Sequence, residues 1–332
     1  MKDSKTVALA SKEKNVSIQI IRIFSMLLII FAHIASESSI GIVKNSAQFL
    51  NVGVWIFLFI SGYLYGKKEK IEIKKFYFGR LKKVFLPMYL FMICLYIITY
   101  IVKGNIDIKY AVIYLFDLQY IFGGMNGATH LWFLTAIGIC YLITPLLAMY
   151  KEKMLKYKLI IIITVIIIGI VLGFVNEIAS LCVLYFSIYL IGYLNSSKEK
   201  LNIFLCLAMA ILGIGIRLIG RKLLDGTVYY NIFIVFFTQT MLAISIFYIV
   251  KAISEKMNLK QSKLINYFDE YSYYIYITHY MFFRGPIITM KITNNFLLNI
   301  FITLILSYLS AIILKSIYSL ILKIDEKITK RN

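Results

Sequence analysis

The stretch "SIQIIRIFSMLLIIFAHIAS", residues 17–36, decides how the rest of the chain is read. It is an apolar run of the length a helix needs to cross a bilayer. Yet it carries Arg22 near one end and His33 near the other, with nothing ionisable between them. Ionisable groups are costly in hydrocarbon and mark function by default. Eleven positions at 100° each bring the two side chains within about 20° of one another, on one helix face and about 16 Å apart along the axis. Ser25, Ser36 and Glu37 lie on or near that face. Glu37, four residues after His33, is placed to orient or charge the imidazole. Taken singly, Arg22 reads as a snorkelling anchor and His33 as a packed or interfacial ring. Taken together, they point to a site.

The same apolar pattern recurs along all 332 residues, which are 61% hydrophobic with a mean hydropathy of +0.81. A soluble domain of this length is about half apolar or less. The chain is therefore expected to be an all-α, polytopic transmembrane helical bundle forming a single domain over residues 1–332. About ten spans are expected, at 17–36, 47–66, 82–102, 130–150, 157–175, 178–195, 201–220, 231–251, 271–290 and 295–322. The segment 110–122 is apolar but short and contains Asp117, which suggests an interfacial or re-entrant piece.

Basic residues set the expected orientation. Eight Lys and Arg lie in "KKEKIEIKKFYFGRLKK" (67–83), four in 151–158 and four from Lys323 onward, while 37–46 has only Lys44. Both termini, 1–16 and 323–332, are expected on the cytoplasmic side, with the first helix retained. The loop at 221–230 mildly opposes this, since Arg221 and Lys222 would fall outside. The net charge of +20 does not point to nucleic acid, because the cations sit in short blocks between apolar runs. Such blocks suit anionic lipid or a polyanionic substrate. Cys94, Cys140, Cys182 and Cys206 lie inside apolar runs without C-x-x-C spacing, and read as packing rather than as metal ligands or a disulfide framework. No His-Glu-x-x-His or other metal spacing appears.

Five motifs in order give the chain a resemblance. An arginine, ten residues and a histidine occupy the first helix. The second span contains "GVWIFLFISGYLYGKK" (53–68). "FYFGRLKKVFLPMY" (76–89) follows, then "HLWFLTAIGICYLITPLL" (130–147), then "YSYYIYITHYMFF" (271–283). In these residues the chain resembles the membrane-bound acyltransferase-3 proteins over nearly its whole length, in a branch acting on surface or cell-wall glycans. It departs from the pattern at Lys83, which keeps the charge of an arginine but not its bidentate fork. It also has Thr135, Ala136 and Ile137 where many relatives carry a glutamate.

The resemblance implies transfer of an acyl group, usually acetyl, from cytoplasmic acyl-CoA to a hydroxyl on a lipid or glycan. The donor, acetyl-CoA, is a substrate; no permanently bound cofactor is expected. Arg22, Arg80, Lys82 and Lys83 are the expected donor-binding cations, since phosphates favour such donors. Acyl transfer to a hydroxyl needs a base and stabilisation of a tetrahedral oxyanion. His33 is the expected base or acyl relay, with Glu37 as orienter and His130 assisting. Trp132, Arg217, His279 and Arg284 are the expected acceptor contacts. For His130 and His279, packing is a comparable reading; for Arg217 and Arg284, snorkelling is the plainer one. The expected partners are acyl-CoA, a membrane or cell-wall glycan and the bilayer of a bacterial plasma membrane. Two other classes fit ten spans: an exporter of a glycan or lipid-linked sugar, and a non-catalytic regulator whose basic loops hold anionic lipid.

Overall fold

A computed structural model describes residues 15–329. The lysines at 2, 5, 12 and 14, and the last two cations of the expected C-terminal tail, lie outside the described residues. Among the described residues every regular element is helical. Where water is scarce, a helix satisfies each backbone group within its own segment, so an apolar chain of this kind resolves into helices. Eight helical stretches among the described residues are long and apolar enough to cross a membrane.

The first is α1 (Val16–Ser36), which opens where the Asn15 side chain accepts a hydrogen bond from the Ile18 amide at 3.2 Å. The second is longer than expected: α2 (Gly41–Leu50) and α3 (Val52–Gly66) join through Asn51 into a 26-residue stretch. The third also starts early. α4 (Ile73–Arg80), a π-helical turn (Leu81–Phe85) and α5 (Leu86–Lys103) run continuously, so five of the eight basic residues expected in a loop lie on its first turns, and Lys67, Lys68 and Lys70 precede it. Residues 110–122 form two short helices, α6 (Lys109–Leu115) and α7 (Gln119–Phe122), parted at Asp117, whose φ is 54°. The Asp117 carboxylate is held by Gln119 at 2.7 Å, and its carbonyl accepts from the Thr135 hydroxyl at 2.8 Å.

A 3-10 turn (Thr129–Leu131) leads into α8 (Trp132–Met149), and the short α9 (Lys151–Lys156) follows. α10 (Lys158–Gly173) is apolar but has only 16 residues. α11 (Glu177–Leu194) and α12 (Ile203–Leu224) follow. The next span joins a π-helical turn (Tyr230–Val235) to α13 (Phe236–Lys256). The expected span at 271–290 is corrected: α14 (Lys263–Thr278) begins earlier and stops at Thr278, and only the four-residue α15 (Met281–Arg284) follows. α16 (Phe296–Thr329) takes in most of the expected C-terminal tail as helix.

The core is closed by small residues. Gly62 and Gly66 of α3 face α11, where an added Cβ would run into the carbonyl oxygens of Tyr189 and Tyr193. Gly192 returns the contact from α11 against the Phe59 carbonyl. Two glycines four apart let helix backbones touch, which replaces the hydrophobic drive missing in lipid. Large rings fill the space around this contact: Phe59, Tyr63, Tyr189, Tyr193 and Phe247 are fully buried. α12 and α16 form the periphery, with only 22% and 28% of their apolar windows buried.

Candidate active site: a histidine cluster and a basic cavity

The site is built on two helices lying side by side, α1 and α14, joined by three rungs. The first is ionic: the Arg22 guanidinium donates to Asp269 Oδ2 at 2.8 Å, with the Asp269 side chain only 3% exposed. Gln19 braces it, donating to the same oxygen at 3.1 Å and to Asn266 at 2.9 Å. The second is aromatic: eleven residues beyond Arg22 and ten beyond Asp269, the rings of His33 and His279 lie 5.3 Å apart. The third is ionic again: Glu37 pairs with Arg284 at 2.6 Å. Near-equal helical rise carries the first two pairs in step, while Arg284 reaches Glu37 from α15, beyond the end of α14.

His130 joins from the turn before α8, with its ring centre 4.9 Å from that of His279. Tyr280 stands 4.7 Å from His33 and 4.9 Å from His130. All three histidines of the chain therefore meet at one place. The end of α14 fixes two of them. The last carbonyls of a helix have no intrahelical donor. Here the Tyr276 carbonyl accepts from His130 Nε2 and from His279 Nδ1, both at 2.8 Å. A carbonyl only accepts, so the protons are assigned to His130 Nε2 and His279 Nδ1. The remaining nitrogens, His130 Nδ1 and His279 Nε2, are buried with lone pairs that no described residue engages. The Tyr276 hydroxyl completes the knot by donating to the His130 carbonyl at 2.8 Å. Neutral imidazoles with an open nitrogen are equipped to take and return a proton.

Around Arg22, three helical turns of α1 away from His33, lies a cavity of about 930 Å³. Its lining runs from Lys67, Lys68 and Lys70 to Arg22, Ser61 and Phe57. From Gly66 to Phe57 is nine residues of α3, a depth of about 13 Å. Phe57 packs on Phe133 at 6.3 Å, Phe133 on Tyr276 at 5.9 Å, and Tyr276 on His130 at 5.3 Å. These packed rings stand between the deep end of the cavity and the histidines. Arg80 lines the cavity too, its guanidinium 5.5 Å from the rings of both Tyr65 and Tyr141. An adjoining cavity of about 540 Å³ shares Arg80 and adds Lys75 and Lys83.

The expected residues divide accordingly. Arg22, Arg80 and Lys83 border the basic cavities, whereas Lys82 turns away and bonds Asp325 of α16. Glu37, expected to orient His33, is instead committed to Arg284, because a half-buried carboxylate takes the strongest donor within reach. Arg284 is thereby brought to the cluster. Arg217 is not: it is 6% exposed, bonds Gln48 and Thr238 at 3.3 Å, and lies over the Tyr230 ring. Trp132 packs at a tilt on Tyr185 and Tyr120, with ring centres 5.1 and 5.3 Å away. Sequence reasoning missed Asp269 and Tyr280. One signal was available: Asp269 precedes His279 by nearly the spacing that singled out Arg22 and His33. Among the described residues no group of three or more His, Cys, Asp and Glu is arranged to hold a metal ion.

Comparisons with curated proteins and with solved structures return no match. A family model described as an acyltransferase domain matches residues 15–316, which include α1, α14 and all three histidines. The chain belongs to the acyltransferase-3 family of membrane acyltransferases.

Proposed function

We propose that this protein transfers an acetyl group from acetyl-CoA to a hydroxyl of a surface polysaccharide, a cell-wall glycan or a lipid-linked precursor. The basic cavity faces the cytoplasm of a bacterial plasma membrane and receives the donor. The acceptor reaches the histidines from the other side. The acceptor hydroxyl oxygen attacks the thioester carbonyl while His33 takes the hydroxyl proton. The tetrahedral intermediate then expels the CoA thiolate, which recovers a proton as the ester is released. His130 and His279 hold or pass that proton through their open nitrogens. A two-step route, with His33 carrying the acyl group, uses the same residues.

One observation carries this reading: the three histidines converge at one end of α1 while Arg22, three turns away on the same helix, borders a basic cavity shared with Arg80, in a chain of the acyltransferase-3 family. The test uses membranes containing the native glycan and acetyl-CoA labelled in its acetyl group. Label is expected in a glycan fraction with the natural chain and not with His33→Ala at equal folded protein. If label stays on acetyl-CoA while glycan crosses the membrane, export replaces transfer as the function.

A further inference from the structure

Arg221 and Lys222 oppose the orientation that the other basic blocks set, and the basic cavities use neither of them. Their place in the fold is defined by α2. Arg221 donates to Asn45 at 3.1 Å, and Arg217, one turn earlier on the same face of α12, donates through Nε to Gln48 at 3.3 Å. Both arginines therefore stand where α1 gives way to α2. The 15 residues of α3, about 22 Å of helix, separate this end from Lys67 and the basic cavity.

Arg217 does not snorkel to water here; it is buried under α2 at 6% exposure. Its printed partners are neutral: Gln48, the Thr238 hydroxyl at 3.3 Å, and the Tyr230 ring 5.4 Å away. Both bonds are longer than the about 2.7–2.9 Å that a guanidinium reaches with an anionic oxygen. The acids of the adjoining elements are engaged elsewhere. Asp225 meets Arg221 at 3.4 Å in an exposed i,i+4 contact, and Glu177 accepts from Asn231 at 2.9 Å. A buried charge is costly unless an opposite charge meets it. Two arginines with one exposed carboxylate between them leave positive charge unbalanced, and the exposed Lys44 and Lys222 add to it. The surroundings are those of the bilayer: α12 is peripheral, and its Leu218, Ile219 and Leu223 are exposed.

We propose that Arg217 and Arg221 form a binding site for the phosphate of a bilayer lipid, at the end of the bundle opposite the basic cavity. Arg217 supplies the buried charge and Arg221 the rim, two forked donors one turn apart, as phosphate recognition favours. The lipid chains run along the exposed leucines and isoleucine of α12. A phospholipid and a polyprenyl-linked sugar share this phosphate chemistry. The site stands independently of acyl transfer.

The test uses native mass spectrometry of the purified full-length protein with added phosphatidylglycerol, diacylglycerol of the same chains, or polyprenyl phosphate. The first bound phosphatidylglycerol is expected to be held at least tenfold more tightly than diacylglycerol. Arg217→Gln should remove most of that preference and Arg221→Gln about threefold of it, with Arg217→Lys retaining part. Lys75→Ala and Lys83→Ala, at the opposite end, should change it less than twofold. Arg221 lies at the exposed rim, so its variant carries the test if Arg217→Gln fails to fold. Tighter binding of polyprenyl phosphate would make the occupant a lipid-linked sugar, and tighter binding of phosphatidylglycerol a plain phospholipid. Diacylglycerol held equally well, displacement by an equal concentration of inorganic phosphate, or unchanged retention in both arginine variants would each overturn the site.

Discussion

The shared Tyr276 carbonyl leads to a prediction that separates fold from chemistry at single atoms. His130 reaches it through Nε2 and His279 through Nδ1. Glutamine places its amide nitrogen near an imidazole Nε2, and asparagine places its own near Nδ1. His130→Gln and His279→Asn therefore keep the bond to Tyr276 and delete only the open nitrogen. His130→Asn and His279→Gln do the reverse: each removes one of that carbonyl's two donors and leaves a buried amide without its partner. Losing a buried bond of this kind costs about 1–3 kcal/mol, whereas keeping it with a new donor costs under about 1 kcal/mol. Thermal unfolding in detergent should place the two matched variants near the natural chain and the two mismatched ones clearly below it. Acetyl transfer should fall in all four, by about 10²–10⁴ if the open nitrogens move protons. Matched variants as unstable as mismatched ones would refute the assigned tautomers. Matched variants of full activity would refute the use of those nitrogens.

Other consequences follow from single contacts. Gly62→Val puts a branched side chain against the Tyr189 carbonyl, and should lower the unfolding temperature at a cost of about 1–3 kcal/mol, with little effect on KM for the donor in the folded fraction. Lys82→Ala should leave donor KM unchanged because Lys82 serves Asp325, while Arg80→Ala should raise it severalfold. The Glu37–Arg284 pair has an exposed arginine, at 56%, so a double-mutant cycle of Glu37→Gln and Arg284→Gln on stability should show coupling of no more than about 1 kcal/mol. Exchanging the two charges should restore part of any lost activity.

What could be read in the sequence was what helical periodicity or composition encodes. Apolar run length revealed the helical membrane architecture, and an eleven-residue interval placed Arg22 and His33 on one face. The boundary of α14 was hidden because the aromatic and β-branched residues after Thr278 prolong the apolar pattern while the backbone has already left the helix. That break frees the carbonyls that orient His130 and His279, so their tautomers were hidden with it. Asp269 was hard to read for a different reason: its partner Arg22 is 247 positions away, and an acidic pair, Asp269–Glu270, beside an apolar run reads as a boundary. The fate of Glu37 shows the limit of local spacing, since the i,i+4 contact with His33 yields to an arginine supplied by another helix.

The central claim is that His33 does the chemistry. The most direct test follows acetyl transfer by purified protein, in nanodiscs with the acceptor glycan, comparing the natural chain with His33→Ala at saturating acetyl-CoA and equal folded fraction. The account predicts that kcat falls at least a hundredfold while acetyl-CoA binding, governed by the cavity around Arg80, changes less than threefold. A His33→Ala protein that transfers acetyl at the natural rate would contradict it.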